Sequence, residues 1–320
     1  MEFTHLHNHS EYSFLDGVAK TSAMAKRAKE LGHKSIAITD HGTMAGVIDF
    51  YSACEKEKIK PLLGIEFYMT PMGKSHLERV PYARQEYSDP KEKHRNNYHL
   101  LAIAKNEEGF SNLCKLTSLS FIDGFYMKNR IDMELLEKYH KGLIISSACL
   151  AGEINHFLSL GNYDRAREVA RRFKEVFEDD FYMELQYGGI EQQRLIIPEI
   201  KKLAKELDIT TIVTNDTHYV TRDESKTQNY MLLIAQRMTV RDEGGLHMGD
   251  ELYLKDDKEM LQALPGEEQS LENTLEVADK VNLKIELGAV HIPVYDIKRD
   301  SNYRQYLLET GDIEEDDDCA

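Results

Sequence analysis

The chain predicts an α/β protein, with an α/β barrel favoured over an open sheet, on three observations. Seven short apolar runs recur along 320 residues: 3–6, 35–39, 62–68, 98–104, 143–148, 181–185 and 211–214. Stretches of helical periodicity separate most of them, and repeated strand–helix alternation builds parallel sheets and barrels. Six of the seven runs carry a His, Cys, Asp or Glu close to an end, whereas structural polar residues would spread over helix faces. Alternation alone does not separate a barrel from an open sheet.

The runs are rich in Ile, Val, Leu and Tyr, as expected of buried parallel strands. Helices are expected over 22–31, 45–58, 109–120, 164–177 and 191–207. Thr21 or Ser22 can cap the first of these and Gly32 can stop it. Two segments break the rhythm. Residues 70–97 are polar, contain Pro71, Pro81 and Pro90, and read as a long loop. Residues 237–256 read as an irregular excursion with a short strand at 251–255, before a last helix near 267–281. The main domain is expected over 1–292, with a linker and an acidic tail over 293–320.

Composition narrows the class. Hydrophobic residues make up 41% and charged residues 30%, ordinary proportions for a globular protein. No run of eighteen apolar residues occurs, which excludes a transmembrane helix and predicts no membrane partner. The opening MEFTHLHNHSEYS lacks the basic and apolar regions of a signal peptide, so the cytoplasm is the expected location. Four cysteines without CxxC spacing do not suggest a disulfide framework. A formal charge of −16 argues against tight, non-specific binding along a phosphate backbone. Nucleic-acid contact is therefore expected to be local.

The first run leads into His5-Leu6-His7-Asn8-His9. Alternation along a strand would point His5, His7 and His9 to one side, where two imidazoles can reach one metal ion. The second run ends in Thr39-Asp40-His41, the third contains Glu66, the fourth begins with His99, the fifth leads into Cys149 and the seventh into Asn215-Asp216-Thr217-His218. In a parallel barrel such groups gather at the C-terminal ends of the strands. His99, at the start of its run, is the exception and suggests a misplaced strand boundary. Imidazoles, carboxylates and one thiolate suit Zn, Mn or Fe better than Mg or Ca. Asp40 is a candidate acceptor for a ligand imidazole. Tyr12, Arg84, Lys91, Lys93, Arg95, Tyr126, Lys128, Arg130, Tyr187 and Tyr219 are candidates to rim the site and touch nucleic acid.

The ordered series HLHNHSEYSFLDG at 5–17, AITDHGTMAGVIDFY at 37–51, KPLLGIEFYMT at 60–70, YHLLAIAKNEEGFSNLCKL at 98–116, SSACLAGEI at 146–154 and VTNDTHYV at 213–220 resembles the PHP phosphoesterase family. Within it, the chain is most similar to the PHP domains of bacterial DNA polymerase III alpha subunits, over roughly residues 1–295. That resemblance implies a distorted (β/α)7 barrel with a cluster of up to three divalent metals at the C-terminal ends of its strands. Carried over position by position, His7, His9, Glu66 and Asp216 would hold the first ion. Glu66 would bridge to a second completed by His99 and Cys149, and Asp16, His41 and His218 would hold the third. Glu66, Asp216 and His218 would take catalytic roles; His5, which the motif does not use, reads as a buried residue or one standing behind the ligands, as Asp40 does.

The implied activity is metal-dependent phosphodiester hydrolysis in DNA replication, with a DNA 3′ end as substrate and a proofreading 3′–5′ exonuclease role. A metal-stabilised scaffold docking the polymerase core, an exonuclease subunit or other replisome subunits is the alternative. A small-molecule phosphatase of the histidinol-phosphatase type is the third. No polymerase active site is expected in this chain.

Overall fold

Strand register explains how the ligand candidates come to share one rim. The computed structural model describes every residue except 243, 244, 246, 291, 293–300 and 312–320. The expected linker and acidic tail therefore lie largely outside the described residues. Two compact units are present, Met1–Leu283 and Lys284–Ala320. The second contains, among its described residues, the helix Ser301–Thr310. No helix among the described residues is long and apolar enough to cross a membrane.

The first unit is built on strands β1 (Ser35–Ile38), β2 (Lys60–Met69), β3 (Tyr98–Ala104), β4 (Phe125–Tyr126), β5 (Lys128–Ile131), β6 (Leu143–Ser146), β7 (Phe181–Gln186) and β8 (Thr210–Thr214). Along the sheet they run β4-β5-β2-β3-β6-β7-β8, with β1 paired to the first half of β2. The N-terminal segment joins the two ends: His5 bridges Ile36 of β1, and Asn8 bridges Thr217 beyond β8. The backbone bonds Ala37 N–H to His5 O (2.9 Å) and His9 N–H to Thr217 O (2.7 Å) close this curled sheet. Around it pack α1 (Thr21–Glu30), α2 (Val47–Glu57), α3 (Glu107–Ile122), α4 (Met133–Lys138), α5 (Glu153–Ser159), α6 (Tyr163–Phe177), α7 (Glu191–Glu206), α8 (Ser225–Ala235), α9 (Asp257–Ala263) and α10 (Glu268–Lys280).

The sheet is mixed rather than purely parallel. β3 runs antiparallel to both β2 and β6, while β1–β2, β2–β5, β6–β7 and β7–β8 are parallel. Residues 70–97 contain only the short turns Tyr82–Arg84 and Pro90–Glu92, with no helix to carry the chain back across the sheet. The chain therefore re-enters at the edge it left, and β3 descends from it. That corrects the expectation for His99: its strand boundary is where the sequence placed it, and the reversed direction sets the start of β3 at the rim.

Period-two alternation divides the strand residues. Ile65, Phe67, Leu100, Ala102, Ile145, Met183 and Leu185 point outward into the main apolar core under the helices. Leu62, Leu101, Ile103, Ile144, Tyr182 and Ile212 fill the inner face. Glu66, His99, Ser146, Glu184, Gln186 and Thr214 continue that inner face toward the rim.

Local expectations met mixed fates. Gly32 stops α1 with φ of +81°, but Lys20, not Thr21 or Ser22, occupies the cap position and no side-chain cap bond forms. Thr21 is instead buried as the first helical residue. The short strand expected at 251–255 is a single bridge, Tyr219 to Tyr253.

The 70–97 loop is tied to α5 by Glu153, whose two carboxyl oxygens accept the Met72 N–H at 2.9 and 3.1 Å. Burial pushes this carboxyl up to about 8, against the Met72 N–H and the Arg165 guanidinium. An acid whose folded pKa exceeds its unfolded value, about 4.3, keeps its proton in the folded state, so its contribution is full below that value and is lost as pH rises toward 8. Glu153→Gln is expected to remove this slope between about pH 5 and 8. Urea denaturation across that range checks it, and parallel curves for the two proteins would refute it.

Candidate metal centre

Each ligand candidate reaches the rim by a short local device. Glu66 and His99 lie on β2 and β3 near their cross-strand partners, with Glu66 opposite Leu101 and His99 opposite Tyr68. Asp216 and the residue before Cys149, Ala148, adopt left-handed φ values of 53° and 58°. Such strain in non-glycine residues persists only where the surroundings demand it. Here it turns the chain sharply at the strand ends and aims Asp216 and Cys149 inward.

All nine candidates meet. His7 Nε2 is 3.2 Å from both Glu66 and Asp216, and His9 Nε2 is 3.1 Å from Asp216 and 3.7 Å from Glu66. Glu66 Oε2 is 3.0 Å from His99 Nδ1, which is 3.6 Å from Cys149 Sγ. Asp16 Oδ2 is 3.0 Å from His41 Nε2 and 3.6 Å from His218 Nε2. His41 Nδ1 also lies 2.6 Å from Glu66, linking the groups. Three subsets, His9/His41/His218, His7/His9/Glu66 and His41/Glu66/His99, each place ligand atoms within 4.8 Å of one another.

The donor chemistry fits divalent ions. Three imidazoles are fixed through Nδ1: His7 against Glu184 (2.8 Å), His9 against Ser13 (3.1 Å) and His218 against the Asp216 carbonyl (2.8 Å). Each fixed Nδ1 leaves Nε2 turned to the cluster, the arrangement that orients metal-binding imidazoles. Both Glu66 oxygens, Asp216 Oδ1 and His218 Nε2 are buried without a hydrogen-bond partner. Leaving such atoms bare costs about 1–3 kcal/mol each, more when charged. Ions at this point would satisfy them together.

Without ions, the protonation of the candidate donors is mixed, and ion binding would have to displace protons from several of them. Burial, then His41 and His218, pushes His9 down to about 3, so its ring is neutral. Burial opposes ionisation of Glu66, yet the imidazoles of His99, His41 and His7 hold its carboxyl well below the usual range. Burial and the Glu66 and Asp216 carboxylates push the Cys149 thiol up.

Two supporting residues differ from expectation. His5 does not share the side of His7 and His9. Leu6 instead enters the inner apolar cluster, breaking the alternation. The His5 ring packs edge-on to Phe3 and His33 and bonds the Lys255 carbonyl at 2.9 Å. The segment is held by single bridges rather than a continuous ladder, so strict alternation is not imposed. Asp40 does not meet an imidazole; it accepts from Ser10 N–H (2.6 Å), Ser10 Oγ (2.8 Å) and Ser13 Oγ (2.7 Å). Through Ser13 it stands one hydroxyl behind His9. Among the nucleic-acid candidates, Arg130 and Tyr219 are buried; Arg130 is spent on the carbonyls of Gly124, His76 and Glu78.

Sequence reasoning missed Glu184. It lies mid-strand in β7, the one run to which no polar group was assigned, and is 1% exposed. Besides His7 it accepts from Ser146 Oγ, Thr214 Oγ1, Gln186 Nε2 and Ala148 N–H. Its signal was a carboxylate at the inward register of FYMELQ, two residues after Tyr182. Glu184→Ala is expected to weaken metal binding about 10–100-fold by freeing the His7 ring. It should also cost about 3 kcal/mol or more by stranding buried donors. Competition with a chromogenic chelator and urea denaturation measure the two effects; unchanged affinity would remove Glu184 from the centre.

The family model described as PHP domain matches residues 5–188. DNA polymerase III subunit alpha of Helicobacter pylori (strain ATCC 700392 / 26695) is 42% identical over 296 residues, 89% of this chain and 23% of the relative. The corresponding subunit of Campylobacter jejuni is 39% identical over 310 residues, 93% of this chain and 25% of the relative. The chain thus spans about a quarter of the length of the curated relatives it matches. A solved putative metal-dependent phosphoesterase from Bifidobacterium adolescentis aligns at 16% identity and a TM-score of 0.33, over 82% of this chain and 96% of that one. With the family model covering more than half its length, the chain belongs to the PHP domain family.

Proposed function

We propose that this chain is a metal-dependent phosphodiesterase of the replicative polymerase branch, acting on DNA 3′ ends as a 3′–5′ exonuclease. The observation that carries the reading is the convergence of nine ligand-competent side chains, with partnerless lone pairs, at a centre buried on one side and open on the other. His7, His9 and Glu66 have fully buried side chains, while those of Asp16 and His41 are 26% and 13% exposed.

In this reading His7, His9, Glu66 and Asp216 hold one ion, Glu66, His99 and Cys149 a second, and Asp16, His41 and His218 a third, with Zn, Mn or Fe best suited to the donors. Bound divalent ions would supply a water acidified toward neutral pH and a clamp for phosphate oxygens. Glu66 and Asp216 accept hydrogen bonds from the attacking water and orient it. The Asp16–His41–His218 side, being open, meets the phosphate. Ser13, Glu184 and the Asp216 carbonyl keep the imidazoles in one tautomer. The family's polymerase relatives suggest that the polymerase core and other replisome subunits are its partners.

A scaffold role is the second reading, favoured by the same bare carboxylates, because ions joining the N-terminal segment, β2 and the end of β8 would also brace the barrel. Metal analysis of the purified protein, paired with a 3′-end degradation assay, separates the two. Metal-stimulated nucleotide release is expected. Metal-replete protein that leaves single strands and mismatched primers intact would overturn the catalytic reading.

A further inference from the structure

Beside the open ligands Asp16 and His41 lies a cleft of about 650 Å³, walled by Tyr12, Phe14, Phe121 and Lys128. That volume falls in the range of ligand-sized pockets. Phe14 is 83% exposed and Phe121 49% exposed, a costly arrangement for two aromatic rings unless something covers them.

Phe14 sits on a backbone that is held in place. Its loop is pinned by Asp16 N–H and Gly17 N–H, which both donate to Ser13 O at 3.0 Å, and by Ser13 Oγ, which donates to Asp40 at 2.7 Å. Leu15 takes a left-handed φ of 64°, and a Cβ on Gly17 would lie 2.3 Å from Ser10 O, so the turn admits no bulkier residue there. The ring is thus presented, two residues from a metal-ligand position, by a loop with little freedom. Across the cleft Lys128 Nζ sits 4.9 Å over the Tyr68 ring centroid, on the β4–β5 hairpin. Tyr68 in turn stacks on His41, with ring centroids 6.0 Å apart.

We propose that this cleft receives the unpaired terminal nucleobase of a nucleic-acid strand, stacked against Phe14 and Phe121, with Lys128 on the neighbouring phosphate. Aromatic faces beside a cation suit single-stranded nucleic acid, since every base has a π-face. A small phosphomonoester would leave the aromatic walls bare. The net charge of −16 opposes a long polyanion track, so the contact is confined to the last one or two nucleotides. The assignment rests on the phosphodiesterase reading for its substrate class and adds the residues that select it.

The test uses the whole chain with its metals and an oligonucleotide whose terminal linkage is a non-hydrolysable phosphorothioate. The fluorescent base 2-aminopurine is placed at the 3′ terminus or, in a second oligonucleotide, internally. Wild-type protein is expected to change the terminal signal and leave the internal one nearly unchanged. Phe14→Ala and Phe121→Ala should each weaken terminal binding about tenfold. Lys128→Ala should reduce the slope of log affinity against log salt by about one. Equal response of terminal and internal probes, or unaltered affinity in both Phe variants, overturns the proposal. If the variants change only the sedimentation of the protein and not the fluorescence titration, the aromatic rim is a protein-docking surface and the proposal is likewise overturned. Parallel hydrolysis of the unmodified oligonucleotide distinguishes the readings: stacking without hydrolysis retains the cleft and removes the catalytic reading, and hydrolysis without stacking does the reverse.

Discussion

Asp216→Asn is expected to lower the release of nucleotides from a DNA 3′ end by about a thousandfold or more, a barrier increase of about 4 kcal/mol. The change keeps side-chain volume and removes the charge that faces His7 Nε2 at 3.2 Å and His9 Nε2 at 3.1 Å. A neutral amide is a weak metal donor and cannot supply the charge that would balance an ion held with His7 and His9. His9→Ala should have an effect of the same order, because its Nε2 faces both Glu66 and Asp216. Far-UV circular dichroism and metal content, measured on the same samples, separate loss of the centre from loss of the fold. Activity within tenfold of the unmodified protein in a folded Asp216→Asn sample would remove Asp216 from the reaction.

Stripping the metals should lower the melting temperature by about 5–10 °C. One ion at a free concentration a hundredfold above its dissociation constant stabilises the folded state by about 2.7 kcal/mol, and a unit of this size shifts by about 2–4 °C per kcal/mol. The structural reason is local: without cations the buried Glu66 oxygens and Asp216 Oδ1 face imidazole nitrogens but form no hydrogen bond. Dialysis against chelator followed by thermal scanning, with restoration by added Zn or Mn, checks it. An unchanged melting temperature after verified metal removal would contradict both the catalytic and the scaffold readings.

Much of the candidate centre was legible along the chain because residues able to bind metals are chemically distinctive and their order is local. His7, His9, His41, Glu66, His99, Cys149, Asp216 and His218 each sit within a few residues of an apolar run, and short turns cannot carry them far from it. The helices α3, α6 and α7 were legible for a similar reason, since their periodicity is written in consecutive residues. Glu184 escaped notice because its function depends on which strand lies behind His7, a fact of tertiary neighbourhood. The partner of Asp40 and the side to which buried His5 turns depended on tertiary neighbours in the same way. An aspartate beside a ligand histidine was satisfied by Ser10 and Ser13 instead, and one leucine broke the alternation that would have paired His5 with its neighbours.

Residue types, approximate strand positions and the family likeness were thus properties of the sequence alone, because each depends on near neighbours and on side-chain chemistry. Strand direction, the depth of each ligand and the shape of the cleft were decided by the tertiary structure. β3 shows why. Nothing in YHLLAIA records its orientation, which follows from a 70–97 loop that contains no crossover helix and returns the chain to the edge it left. That reversal brings His99 to Glu66, 3.0 Å away, and completes the rim.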